Sequence, residues 1–164
     1  MSKLKPQYLV DVNVWFALVY QRHVHHDIAV AWFDSVNDGS AACCRVIQLG
    51  LFRLLTNTAV MGDDVQTQSG AWLVWERLIQ DVRVVFASES GELETFLRRF
   101  SGSKQSGHRQ WTDAYLAAFA ESGGLQIVTF DQGFKAYKGL VLRDCTLISR
   151  NFKPNGIDAS QSEG

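Results

Sequence analysis

The stretch YLVDVNVWFALV, Tyr8–Val19, passes from a short apolar run into a second run of apolar and aromatic residues, with Asp11 at the junction. The first run is typical of a buried strand, and the second continues as a helix. Two interpretations of Asp11 are open. Asp11 or Asn13 caps the helix by accepting hydrogen bonds from its first turn, or the carboxylate has a chemical role.

Composition indicates one globular domain. The chain has 164 residues, of which 46% are hydrophobic and 20% charged, enough for a substantial core. The formal charge of -1 and the pI near 6.4 give no overall basic character, so any contact with nucleic acid has to come from a local patch. We predict a single domain over residues 1–152, followed by a polar tail over residues 153–164.

The cysteines and the amino terminus bear on the compartment. Three cysteines without CxxC spacing give no disulfide framework and fit a reducing interior. The basic start of the chain is followed by only a short apolar strand, so we expect neither a signal peptide nor a membrane span. The sequence predicts a cytoplasmic protein.

Outward from Tyr8, short apolar runs alternate with helical patterns. Strands are predicted at Gln7–Val10, Ala41–Cys44, Arg83–Phe86, Leu125–Phe130 and Cys145–Ser149. Helices are predicted at Val14–Tyr20, His26–Val36, Val46–Thr56, Ser69–Gln80, Glu92–Phe100 and Trp111–Glu121. Buried strands that alternate with helices imply a parallel sheet covered on both faces.

Three aspartates fall where such a sheet binds ligands. Asp11 and Asp131 each follow a predicted strand, and the carboxyl ends of parallel strands open onto one edge. Asp113 lies near the start of a helix, where the helix dipole alone would stabilise it. Asp131 also fits an Asx turn before Gly133. Each structural interpretation is reasonable singly, but three such coincidences together are less expected.

Three segments carry a family resemblance. YLVDVNVWFAL, CRVIQLGLFRLLTN and WTDAYLAAFAESGGLQIVTFDQGF, in this order, resemble the PIN domain, and within it the VapC toxins of bacterial toxin–antitoxin pairs. DAYLAA followed by VTFDQGF is the most diagnostic piece, and RHVHHDIAVAWF also resembles a VapC subgroup. The resemblance runs from Tyr8 to Phe134.

The resemblance implies a fold, an activity and partners. The expected fold is an α/β, three-layer α/β/α PIN domain with a central, mainly parallel sheet. The expected activity is an endoribonuclease that depends on Mg²⁺, with Mn²⁺ as an alternative, and that a cognate VapB-type antitoxin inhibits. Such toxins commonly form homodimers, and the aromatic residues Trp32, Phe33, Trp72 and Trp75 offer surface for that contact or belong to the core.

By motif, Asp11, Asp113 and Asp131 match the family's acidic, metal-binding positions. Clustered carboxylates call for a cation, and a bound metal would activate water for phosphodiester hydrolysis. The family usually adds a glutamate where this chain has Gln48. Since Mg²⁺ needs only one or two carboxylates plus a substrate phosphate, one metal fits this site better than two. On this basis Gln48→Glu is expected to tighten metal binding.

Other residues are candidates for support and for RNA binding. Asn13, Gln48 and Thr129 are expected to hold the carboxylates by hydrogen bonds. Arg45 and the segment RRFSGSKQSGHRQ provide cations for RNA phosphates, unless they are simply solvated. The cations of that segment are Arg98, Arg99, Lys104, His108 and Arg109.

Three alternative interpretations compete with this one. A PIN-like module that binds RNA or antitoxin but cuts slowly is an alternative because Gln48 is neutral. A HAD-type phosphotransferase would need a second acid at Asn13. Zinc at His23, His25 and His26 lacks nearby cysteine ligands, so those residues are predicted at a solvated turn or helix start.

Overall fold

The computed structural model describes residues 5–102, 107–108 and 110–144. Their centre is a five-stranded sheet whose strands are all parallel, in the order β3-β2-β1-β4-β5. The strands are β1 Tyr8–Val10, β2 Ala41–Cys43, β3 Val84–Phe86, β4 Gln126–Thr129 and β5 Leu142–Asp144. The predicted parallel sheet is therefore confirmed.

Helices flank the sheet and complete three α/β/α layers, as expected from the sequence. The α-helices are α1 Val12–Val19, α2 His26–Asp34, α3 Arg45–Leu55, α4 Thr58–Met61, α5 Gln68–Ile79, α6 Leu93–Ser101 and α7 Gln110–Gly123. Two 3₁₀ helices span Gly62–Asp64 and Gln132–Ala136. None of the helices in the described ranges is long and apolar enough to cross a membrane.

Strand β1 is buried because it has a neighbour on each side and helices above and below. Leu9 pairs with Ala42 of β2 and with Ile127 of β4, and all three residues are buried. The large rings of Trp15 and Trp32 are fully buried in the same core. Continuous apolar strands of this kind are typical of parallel sheets.

The turn from α7 into β4 has the geometry that its glycines predict. Gly124 has a φ of 67°, a left-handed conformation that suits glycine. The backbone N–H of Leu125 then donates to the carbonyl of Ala120 at 2.8 Å, which closes the end of the helix. The tight connection fixes how far α7, and so Asp113, lies from β4.

Several boundaries differ from the prediction. The fifth strand is Leu142–Asp144, set by pairing of Leu142 with Ile127, whereas the predicted range Cys145–Ser149 lies outside the described residues, as does the tail 153–164. Helix α4 and the first 3₁₀ helix were not predicted, since each is too short to show a periodic pattern. Helix α1 begins at Val12, two residues earlier than predicted.

The aromatic residues considered for a dimer surface are mostly core. Trp32, Phe33 and Trp75 are buried, so the interpretation as interface is wrong for these three. The Trp32 ring meets Tyr8 edge-on at 5.8 Å, and Phe33 packs against Trp15 in the same way at 5.9 Å. Of the four aromatic residues, Trp72 alone, with 48% of its surface exposed, remains available to a partner.

Candidate functional site

The strand order places a ligand crevice beside β1. The chain runs from β1 outward through β2 to β3, then returns to place β4 on the other side of β1. Where the order reverses in this way, the helices after the two central strands diverge and leave a crevice at the carboxyl ends. Asp11 directly follows β1 and Asp131 lies two residues after β4, so both carboxylates reach this crevice.

Asp11 is a helix cap with an additional contact. Its Oδ1 accepts a hydrogen bond of 2.7 Å from the backbone N–H of Val12, and its Oδ2 accepts one of 2.7 Å from the Thr129 hydroxyl. Only 6% of its surface is exposed. Capping is therefore real, but it does not account for an almost buried carboxylate, since a cap at the protein surface would serve equally well.

Thr129, the last residue of β4, connects the residues of the crevice. Its buried hydroxyl donates to Asp11 and accepts from the side-chain amide of Asn13 at 3.2 Å and from the backbone N–H of Asp131 at 2.9 Å. Asn13 in turn accepts from the backbone N–H of Phe130 at 3.4 Å. Thr129 thus binds the Asp11 carboxylate as expected, whereas Asn13 bonds to Thr129 and to the backbone and so supports that carboxylate only indirectly.

Asp113 and Asp131 lie farther out than Asp11. Asp131 is exposed and accepts a hydrogen bond of 2.7 Å from the backbone N–H of Gly133, which is the predicted turn. Asp113 is the fourth residue of α7 and is partly buried. Solvent exposure therefore increases across the site, from the buried Asp11 carboxylate at the sheet to the exposed Asp131 carboxylate at the rim.

The carboxylates influence one another electrostatically. Burial raises the pKa of Asp11 to about 6, against the lowering effect of its hydrogen bonds from Thr129 and Val12. The negative charges of Asp113 and Asp131 raise it further. Burial and the charge of Asp131 also raise the pKa of Asp113. The three groups are close enough to repel one another, so a cation between them would be stabilised.

The donor set fits a hydrated Mg²⁺ ion better than a protein cage. Within residues 5–102, 107–108 and 110–144, no three His, Cys, Asp or Glu side chains are placed to hold one ion together. Mg²⁺ binds oxygen, keeps several waters and commonly uses only one or two carboxylates. Asp11, Asp113 and Asp131 offer carboxylate oxygens of the kind that such a site uses, whereas zinc sites commonly use nitrogen or sulfur ligands.

Gln48 was expected to hold a carboxylate by a hydrogen bond, but it bonds to Arg45, a partner that sequence analysis did not assign. The Gln48 side chain is buried, with 2% of its surface exposed, and its Oε1 accepts a hydrogen bond from the Arg45 guanidinium one helical turn earlier. The guanidinium also lies 4.9 Å from the centre of the Phe86 ring at the end of β3. Arg45 is exposed at the carboxyl edge of the sheet, as a phosphate contact requires. Its spacing of three residues from Gln48 was the available signal.

The predicted RNA-binding segment is described only in part. Lys104 and Arg109 lie outside the described residues. Arg98 donates to Glu94 at 3.0 Å on the exposed surface of α6. The Arg99 guanidinium lies 4.5 Å from the centre of the Phe100 ring, near the start of the segment.

Tyr137 is a neighbour of the site that sequence analysis missed. Burial raises the pKa of its hydroxyl, and the negative charge of Asp113 raises it further. The ring packs edge-on against Phe100 at 5.5 Å and so joins α6 to the end of the second 3₁₀ helix. Nothing in the local sequence indicates this contact, because it depends on how three separate segments pack.

The histidine cluster lies at the start of α2, as predicted. His26 is the first residue of α2, and its Nδ1 is 2.8 Å from the Ala17 carbonyl. The His25 ring packs 4.6 Å from the Phe130 ring. Burial lowers the pKa of His23, as do its two histidine neighbours. These contacts connect α1, α2 and the end of β4 and give the cluster a structural role.

The PIN domain family model matches residues 8–140, which is most of the chain. The chain belongs to the PIN domain family. This PIN domain protein is 41% identical to Ribonuclease VapC41 of Mycobacterium tuberculosis over 140 residues, covering 82% of the present chain and 96% of the relative.

Solved structures of low sequence identity share the fold. VapC20 of Mycobacterium tuberculosis, described as a Sarcin-Ricin loop cleaving toxin, superposes with a TM-score of 0.61 at 18% identity, covering 82% of this chain and 97% of its own. VapBC-1 from nontypeable Haemophilus influenzae gives a TM-score of 0.61 at 14% identity, with coverage of 85% and 98%. Both likenesses concern the architecture of the PIN domain.

Proposed function

We propose that this PIN domain protein is a metal-dependent endoribonuclease that acts as the toxin of a toxin–antitoxin pair. The observation that carries the proposal is the buried Asp11 carboxylate at the sheet's switch point, raised in pKa by burial and by two further aspartates. A fold needs no buried, mutually repelling carboxylates for its stability. The name of the 41% identical relative, a ribonuclease, supports RNA as the substrate.

Asp11, Asp113 and Asp131 would hold Mg²⁺, or Mn²⁺ in its place, directly or through water. When bound, the ion supplies a nucleophile from water at neutral pH and stabilises charge that develops on the phosphate. Thr129 orients the Asp11 carboxylate by donating to its Oδ2, and Asn13 fixes the Thr129 hydroxyl in turn. Such supporting hydrogen bonds typically contribute about 10–100-fold to metal affinity or activity.

The partners follow from the same family. We infer a VapB-type antitoxin, supported by the shared fold with the VapBC-1 structure. We also infer a homodimer, for which Trp72, Leu73 and Leu49 offer exposed apolar surface on α5 and α3. Action on cellular RNA would place the protein in the cytoplasm.

One observation favours a second candidate, a PIN module that binds RNA or antitoxin without efficient cleavage. Gln48 provides no charge, and its carbonyl oxygen is already occupied by Arg45. The site then has three acids where the family usually has four, which reduces its attraction for a cation.

Metal removal separates the two candidates. We expect the purified protein to cleave single-stranded RNA with Mg²⁺, to lose cleavage in excess EDTA, and to recover it when Mg²⁺ is added beyond the chelator. Gel electrophoresis of an end-labelled RNA measures the products, and a filter-binding assay on the same samples measures the complex. RNA that is bound but stays intact at every Mg²⁺ and Mn²⁺ concentration would support the binding module.

The Arg45 contact changes what is expected of Gln48→Glu. A new carboxylate would pair with Arg45, so only part of its charge would act on a metal. We expect Gln48→Glu to tighten Mg²⁺ binding modestly in the wild-type background, and by about tenfold when the same substitution is made in an Arg45→Ala protein. Titration calorimetry of the four proteins in this cycle measures both effects.

Gln48→Met is the matched control, since it keeps the length of the side chain without adding charge. Equal Mg²⁺ affinities for all four proteins of the cycle would mean that position 48 does not act on the metal. If Gln48→Glu tightens Mg²⁺ binding equally with and without Arg45, the Arg45 contact does not shield the new carboxylate from the metal.

A further inference from the structure

A large cleft lies next to Asp113 and is not explained by the carboxylate site. It has a volume of about 1110 Å³ and lies between the end of α6, the start of α7 and the second 3₁₀ helix. Small-molecule sites typically have volumes of roughly 300–1,000 Å³, so the cleft has room for a nucleotide with its flanking phosphates. The residues that matter for its chemistry are Arg99, Phe100, Trp111, Asp113, Tyr137 and Lys138.

Trp111 is the aromatic surface of the cleft that is open to a ligand. It is the second residue of α7, two positions before Asp113, and 60% of its surface is exposed. Phe100 and Tyr137 pack against each other, whereas no ring among the described residues packs against Trp111. An indole left open beside a candidate catalytic carboxylate offers a flat apolar face for a base to stack on.

Cations line the same cleft. Lys138 is exposed at its edge, and Arg99 is half-exposed, with its guanidinium 3.8 Å from Glu121. The Phe96 and Phe100 rings, 4.9 and 4.5 Å away, help to hold that guanidinium in place. A held guanidinium and an exposed ammonium near an open indole provide what a nucleotide needs, which is charge for the phosphate and a stacking face for the base.

We propose that this cleft holds one unpaired nucleobase of the RNA, stacked on Trp111, while Arg99 and Lys138 contact the adjoining phosphates. The base must be unpaired, because a base within a duplex is stacked on its neighbours and cannot present its face to a side chain. Asp113 lines the cleft, so the cleft holds a nucleotide next to the phosphate at the metal site. The cleft therefore contributes to the choice of cleavage position. This inference rests on the proposed nuclease function for its choice of ligand.

The test uses Trp111→Ala and Trp111→Phe with short single-stranded RNA. In EDTA, which prevents cleavage, we expect Trp111→Ala to bind about tenfold more weakly than the wild type, as loss of one base–aromatic stack predicts. Trp111→Phe should retain most of the affinity. Fluorescence anisotropy of an end-labelled RNA measures both. Val82→Ala, which removes exposed apolar surface outside the cleft, should bind as the wild type does.

A set of RNAs with a single abasic site distinguishes stacking from general damage. The wild type should lose about tenfold in affinity when one particular base is removed, and Trp111→Ala should be insensitive to that removal. Lys138→Ala should weaken binding and reduce its salt dependence. Lys135→Ala, three residues earlier in the chain but outside the lining of the cleft, should do so less.

The outcomes separate this inference from the nuclease itself. If the wild type cleaves RNA but Trp111→Ala has unchanged affinity, abasic pattern and cleavage positions, the cleft proposal is wrong and the nuclease stands. If the abasic pattern depends on Trp111 but no metal supports cleavage, the cleft stands and the nuclease proposal is wrong.

Discussion

Asp11→Asn is expected to reduce RNA cleavage at least about a hundredfold, because it removes the innermost charge of the site and with it several kcal/mol of metal-dependent stabilisation. The fold should survive, since asparagine caps a helix about as well as aspartate and can still accept from the Val12 N–H. Cleavage rates at saturating Mg²⁺ measure the effect, and circular dichroism verifies the fold.

Asn57→Asp provides the matched control. Asn57 caps α4, where its Oδ1 accepts from the backbone N–H of Ala59 at 2.9 Å. The Asn57→Asp substitution also exchanges an amide and a carboxylate at a helix cap, but in an exposed position. It should therefore leave cleavage unchanged. A folded Asp11→Asn protein that cleaves at the wild-type rate would leave capping as the only role of Asp11.

Asp11→Asn should also stabilise the metal-free protein. The pKa of Asp11 is raised from 3.8 to about 6 in the folded state, so the folded protein holds this proton more tightly than the unfolded chain. Protonation of Asp11 therefore contributes its full share to the free energy of unfolding below pH 4. This contribution falls as the pH rises from 4 to 6 and stays low above pH 6. The loss is on the order of 3 kcal/mol.

Denaturation by urea in EDTA, from pH 4 to pH 8, measures this effect as the difference between Asp11→Asn and wild type. We expect the variant to gain stability relative to the wild type across this range, with most of the gain before pH 6. The subtraction removes the titration of other groups, such as Asp81, whose pKa the hydrogen bond from Arg83 lowers. Mg²⁺ should narrow the difference by binding the wild type. A difference that does not vary with pH would show that the buried carboxylate carries no electrostatic cost.

Much of the fold follows from local pattern. Continuous apolar strands predicted the parallel sheet, and helical periodicity predicted α3, in which Ile47, Leu51 and Leu55 are buried and Leu54 is partly buried. The sequence pattern also predicts that Asp11 and Asp131 lie at the same edge of the sheet, because the carboxyl ends of parallel strands lie on the same side.

What the sequence did not indicate depends on tertiary contacts. Helical spacing shows that Trp32 and Trp72 lie on helices, but only the packed structure shows that the first is core and the second is exposed. Thr129 can link the Asp11 carboxylate to the backbone of Asp131 only because β1 and β4 lie side by side. The cleft at Trp111 is formed by three segments that are distant in sequence.

The hydrogen bond between Thr129 and Asp11 joins residues 118 positions apart in the chain. During synthesis, Thr129 is made 118 positions after Asp11, with β4, and Asp131 follows it. A ribosome that stalls or a message that is truncated before β4 therefore yields a chain without the paired carboxylates. Under the proposed function, the carboxylate site stays incomplete until β4 has been synthesised, which gives an inhibitor made in parallel time to accumulate.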